Sequence, residues 1–165
     1  MNAAFRVGGD AYDDFMGRYS TALAPLFADF AGVAPGAHVL DVGAGTGALT
    51  AELVARGATD RTAAAIGAQR GGEPRRYRTA PELHELLAPH GEVEAADLDV
   101  TAGYADFDEF WRAMDRGVGP AGQWLASLDS EQRERAYDEL FRQLGSPRGP
   151  FELAARAFAV AVTPA

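Results

Sequence analysis

The sequence contains no cysteine and no lysine. Without cysteine there can be no disulfide, no thiolate catalysis and no cysteine-based zinc site. All 15 basic residues are arginine, which excludes a catalytic or Schiff-base lysine. Isoleucine and asparagine each occur once. Beside abundant alanine, glycine and arginine, that scarcity suggests GC-rich coding, a bias of source and not of function. No apolar run approaches the ~20 residues of a membrane span. The start, Met1 to Asp10, lacks the basic and then apolar pattern of a signal peptide. Positive charge is also short, with 15 basic residues against 24 acidic ones and a formal net charge of −9. That balance argues against broad electrostatic binding to nucleic acid or to an anionic membrane. A soluble cytoplasmic protein is the expectation.

What is present suits a single domain. The chain has 165 residues, of which 47% are hydrophobic and 24% charged, an ordinary globular composition. It divides into an N-terminal helical segment (1–36), a strand, glycine loop and helix (37–66), a loop (67–78) and C-terminal helices and strands (79–165). Periodicity predicts a first helix over Ala11–Ala31, broken near Tyr19 and Ser20, with Leu23, Leu26, Phe27 and Phe30 as its apolar stripe. His38–Val42 reads as a buried parallel strand and Ala48–Arg56 as a helix. Thr62–Ile66 is a weak strand. Thr79, Pro81 and Glu82 open a helix to about Pro89. Glu92–Thr101 reads as a strand. Asp106–Arg116 is a helix with Phe107, Phe110, Trp111 and Met114 inward. Gly117–Gly122 reads as a turn. Asp129 or Ser130 caps a helix to Leu144 with Tyr137, Leu140, Phe141 and Leu144 inward. Phe151–Val162 is apolar enough to be a central strand. Helices alternating with strands give an α/β chain.

One segment carries a sharp chemical signal. In Val39-Leu40-Asp41-Val42-Gly43-Ala44-Gly45-Thr46-Gly47 a strand runs into alternate glycines, and a helix follows at once. Glycine lets the backbone turn tightly and approach a ligand. The helix N-terminus offers free N–H groups to an anionic ligand group. Asp41 closes the strand, where it can accept loop amides or face a cationic group. Gly43-x-Gly45-x-x-Ala48 also satisfies the relaxed dinucleotide fingerprint. That fingerprint wants an acid ~20 residues on, at the end of the next strand. Asp60 comes too early for this, and Glu73 lies in a loop. An NAD binder is therefore the lesser alternative, and a glycine turn without a ligand is the plain one.

The D-x-G-x-G-x-G arrangement resembles motif I of class I S-adenosylmethionine-dependent methyltransferases. Tyr12–Ser20 resembles the helical segment that precedes motif I in one bacterial subgroup. Glu82–Glu92 is similar to the family's late helix and turn, Asp106–Gly122 to its substrate-side insertion and Phe151–Val162 to its last strand. The family's fourth and fifth strands, and its second cofactor acid, have no counterpart. The resemblance implies a shortened Rossmann-like three-layer sandwich with a mostly parallel sheet of three to four strands. It implies S-adenosylmethionine as cofactor and methyl transfer to a small-molecule acceptor. Asp41, Gly43, Ala44, Gly45 and Gly47 would form the cofactor loop, with Tyr12 and Arg18 closing over it. No residue stands out as catalytic.

A non-catalytic remnant that oligomerises is the alternative from another class. A shortened sheet would leave an exposed edge, through which a homodimer could form. The three histidines, His38, His84 and His90, form no cluster. Asp97, Asp99, Asp106, Asp108 and Glu109 read as a solvated face and not as a metal site. The arginines at 70, 75, 76 and 78 form a small basic loop.

Overall fold

A computed structural model describes residues 9–42, 45–58, 60–64 and 79–164. The basic loop and the loop residues Gly43 and Ala44 lie outside the described residues. The helices are α1 (Gly9–Tyr12), α2 (Arg18–Phe30), α3 (Ala48–Ala55), α4 (Ala80–Leu87), α5 (Phe107–Asp115), α6 (Gly119–Ala126) and α7 (Ser130–Gln143). A π-helical turn, Asp13–Gly17, joins α1 to α2, and a 3₁₀ turn, Ala88–His90, follows α4. The strands are β1 (His38–Val42), β2 (Asp60–Ala64), β3 (Glu92–Tyr104) and β4 (Phe151–Thr163). The chain divides into two compact units, Met1–Tyr19 with Thr101–Leu153, and Ser20–Val100 with Ala154–Ala165.

The strands do not form the expected mostly parallel sheet of three to four strands. They make two separate two-stranded sheets, β1 with β2 and β3 with β4. The shortened Rossmann-like sandwich is thereby corrected. β1 and β2 are parallel, from His38 opposite Asp60 to Val42 opposite Ala64. The crossover between them is α3, as parallel neighbours require. β3 and β4 instead satisfy each other. Arg156 donates to Asp97 and Asp99, while the Tyr104 ring stacks on Phe151, so the two strands run antiparallel. The last strand is therefore one of a pair and not a central strand.

The first unit is organised by aromatic packing. Tyr104, Phe107, Phe110, Met114 and Leu125 are buried, with Phe15, Trp111, Tyr137, Phe141 and Phe151 packed against them. Phe107 meets Tyr137 and Phe141 edge-on at ring separations of 4.8 and 5.1 Å. Such pairs add about 0.5–1.5 kcal/mol each beyond area burial. Helix starts are chemically marked. The Asp106 carboxylate accepts from the Glu109 N–H, and Asp129 and Gln132 form a full capping box.

Gly117–Gly122, expected as a turn, is largely the first half of α6. Gly122 explains the difference: a Cβ there would lie 2.6–2.7 Å from the backbone of Gly117 and Met114. Glycine thus serves close helix packing here and not chain reversal.

In the second unit the deepest side chains are small. Ala24, Ala28, Leu53, Val100 and Ala159 are buried, while Leu40 is 59% exposed. The expected stripe on α2 is only partly covered: Leu26 is exposed, and Leu23, Phe27 and Phe30 are half-buried. The helix itself is unbroken at Tyr19 and Ser20, and its irregularity falls in the π turn before it.

Candidate functional site

The strand–loop–helix of the second unit is built from β1, the glycine loop and α3. β1 places Asp41 one residue before its carboxyl end. Gly45 and Gly47 turn the chain with φ of 58° and 91°, the left-handed region that glycine enters freely. Nothing lies within 4 Å of where a Gly47 Cβ would stand, so this glycine is required by conformation and not by crowding. Gly47 is the N-cap of α3 and offers no side chain to the helix's first amides. Those N–H groups therefore keep their donor capacity and the positive end of the helix dipole.

The Thr50 hydroxyl in the first turn of α3 donates to Asp41 Oδ2 at 2.7 Å. One carboxylate oxygen is thus committed to fixing strand against helix, and among the described residues no other donor meets the half-buried Asp41. Sequence reasoning did not single out Thr50. Its signal is a hydroxyl three residues after the capping glycine.

The opposite end of α3 is anchored separately. Arg56 donates to Asp29 at 2.5 Å, to Glu52 at 2.7 Å and to the Pro25 carbonyl at 3.0 Å. Hydrogen bonds to Asp29 and then Glu52 raise the already high Arg56 pKa. α2 and α3 are clasped at that end, away from the glycine loop.

The structure also shows what the loop lacks. The parallel register places Ala63 and Ala64 at the carboxyl end of β2, beside Asp41 and Val42. Asp60 stands at the other end, opposite His38. The fingerprint acid of a dinucleotide site is therefore absent from the described end of β2.

Tyr12 and Arg18 belong to the first unit, whereas Asp41, Gly45 and Gly47 belong to the second. Tyr12 is half-buried in α1. Arg18 donates to the Gly103 carbonyl at 2.7 Å, to Glu109 Oε1 at 2.5 Å and to the Asp14 carbonyl at 2.9 Å. Its guanidinium also lies 4.9 Å from the centre of the Tyr104 ring. The backbone N–H of Ala105 and then Arg18 hold the Glu109 carboxyl below its usual range. Burial first of all pushes the Tyr104 phenol upward.

An open cleft of about 570 Å³ lies in the same unit, lined by Asp14, Arg18, Glu109, Arg112, Asp115 and Arg116 among others. Its charges compensate internally, because Arg18 pairs with Glu109 and Arg116 with Asp14. Asp115 in turn pairs with Arg133.

The acidic run is distributed among structural partners. Asp97 and Asp99 hold Arg156, Asp106 caps α5, and Asp108 accepts from the Tyr137 hydroxyl. That last bond pushes the Tyr137 pKa up to about 12. Among the described residues no group of His, Asp and Glu gathers to hold a metal, and no helix is long and apolar enough to cross a membrane. No protein-family model, curated protein or solved structure matches the chain.

Proposed function

We propose that β1, the glycine loop and α3 bind S-adenosylmethionine, and that the chain transfers its methyl group to a small-molecule acceptor in the cytoplasm. The observation that carries this reading is Asp41, oriented by Thr50 at the mouth of a glycine turn that opens an uncapped helix. Its free carboxylate oxygen suits the cofactor's ammonium. The uncapped amides of α3 suit its carboxylate. The two charged ends of an amino acid thus find opposite charges within one turn of chain. The residues fit the amino-acid half of the cofactor. Among the described residues the carboxyl end of β2, Ala63 and Ala64, offers the ribose half no acid.

When bound, the cofactor supplies an electrophilic methyl on a sulfonium. Held by Asp41 and the first turn of α3, it would offer that methyl to an acceptor's lone pair, with the sulfur as leaving group and any acceptor proton passing to solvent. The chain's own contribution is to fix position, which alone can account for much of such a rate. Asp41 holds the ammonium and Thr50 holds Asp41. Gly45 and Gly47 keep the backbone close.

A second reading is a non-catalytic remnant or interaction module, which binds the cofactor very weakly or not at all. The lack of an acid at the described end of β2 favours it. Nicotinamide dinucleotides fit less well for the same reason.

Calorimetric titration with S-adenosylmethionine, its demethylated product and NAD tests the proposal. Binding of the first two but not the third is expected. Asp41→Asn should weaken binding about 10- to 100-fold, the usual weight of a charge-assisted hydrogen bond. A folded, cooperatively melting protein that binds neither cofactor form refutes the proposal. That outcome selects the second reading, and binding without methyl transfer to any of a panel of small acceptors refutes the transfer step alone.

A further inference from the structure

We infer that the outer edge of β4 pairs with the same edge of a second copy of this chain, antiparallel about a two-fold axis near Ala159 and Val160. The inference does not rest on cofactor binding. β3 and β4 form a two-stranded sheet, so each has one edge without a partner strand among the described residues. An open edge is a template for another strand unless something blunts it.

The two edges are protected very differently. Over its length in this unit, β3 carries Glu92, Glu94, Asp97 and Asp99 and no basic residue. If two copies of β3 paired antiparallel about the centre of that stretch, Glu92 would oppose Asp99 and Glu94 would oppose Asp97. Every acid would meet an acid, which opposes pairing. β4 has no such guard. From Ala157 to Val162 it reads Ala-Phe-Ala-Val-Ala-Val, without charge, proline or glycine. That is the composition of a segment prone to pair with its own kind. Phe158 within it is 42% exposed.

Self-pairing also deals with Arg156, the one charge β4 carries from Ala154 onward, while Glu152 lies outside the paired stretch. Arg156 would stand opposite Thr163 of the second copy, and the two Arg156 side chains would lie seven residues apart, roughly 23 Å along the ribbon. That exceeds the screening length of about 8 Å. Arg156 is already engaged by Asp97 and Asp99 of its own β3. An edge meeting its own copy antiparallel closes into a dimer, whereas β4 meeting β3 of another copy would build an open-ended ribbon.

Sedimentation velocity of the full chain over a range of concentrations tests this. The wild type should sediment at twice 17.4 kDa. Phe158→Lys, which places the residue that natural edges use as a guard, should sediment as a monomer and melt cooperatively. Glu94→Lys, on the other edge, should leave the dimer unchanged. Amide hydrogen exchange of the wild type gives an answer that does not depend on variant folding: dilution should speed exchange within Ala154–Thr163. A monomer at every concentration overturns the inference. So does a dimer altered by Glu94→Lys and not by Phe158→Lys, growth beyond the dimer, or exchange in Ala154–Thr163 that is insensitive to dilution.

Discussion

The two compact units spend their residues differently. The first unit buries large aromatic side chains, with Phe107 at 2% and Tyr104 at 3% exposure, and marks its helices with carboxylate caps. The second unit buries mainly alanine and leaves Leu40, Val54 and Phe158 exposed. The chemical signal, with its glycines and Asp41, lies in the second. Gly45 and Gly47 take left-handed φ that a side chain would strain, so this turn is not built from large side chains. The stability of the chain should therefore be concentrated in the aromatic unit, and ligand-dependent ordering in the other.

The most forceful way to break that comparison is Phe107→Ala. Phe107 meets Phe110, Trp111, Tyr137 and Phe141. Its truncation should cost about 3–5 kcal/mol, read from urea unfolding followed by circular dichroism. A loss below 1 kcal/mol would mean the aromatic cluster is not the principal core. Asp129→Ala should cost about 1 kcal/mol, because the capping box on α7 would be dismantled. Asp129→Ser, which can still accept from the Gln132 N–H, should recover most of it.

Acid should act on the first unit through Glu109. The Ala105 N–H and Arg18 depress its folded pKa below the ordinary 4.5. Its contribution is fully present above that value, and it is lost as pH falls through the lower folded pKa. Glu109→Gln should therefore lower stability at neutral pH and flatten the decline below pH 4.5, as followed by thermal melts across pH. An unchanged pH profile in the variant would remove Glu109 from the account. The smallest effect should come from Leu40→Ala in the second unit. At 59% exposure the side chain has little burial to lose, and a change within about 0.5 kcal/mol is expected. A larger loss would show that β1 is covered in solution by something the isolated chain does not show.

Local structure was legible where local chemistry decides it. Asp129 announces α7 as a cap, and the stripe Phe107, Phe110, Trp111, Met114 names the inward face of α5. His38–Val42 emerged as a parallel strand from its short apolar run flanked by glycines, but not as the buried strand expected, since Leu40 is 59% exposed. α6 was hidden by its glycines. Gly119 and Gly122 look like a turn, yet Gly122 is there so that backbones can touch.

Strand pairing was not legible, because it is a non-local choice. Nothing within β3 or β4 alone says that Arg156 will clip Asp97 and Asp99, and that clip binds the two strands to each other. At the site, the turn and Asp41 were readable from the glycine spacing. Thr50 was not, because its role exists only once the helix brings it back to the strand. The short β2 was read only weakly, two residues later than it lies, and its register decides that Asp60 cannot serve the loop.

The most direct test of the central claim is amide hydrogen exchange with and without S-adenosylmethionine. The account predicts slower exchange within Leu40–Ala51 when the cofactor is present, with α5 and α7 unchanged. Protection confined to α5 and α7, or no change anywhere in a folded protein, would contradict it.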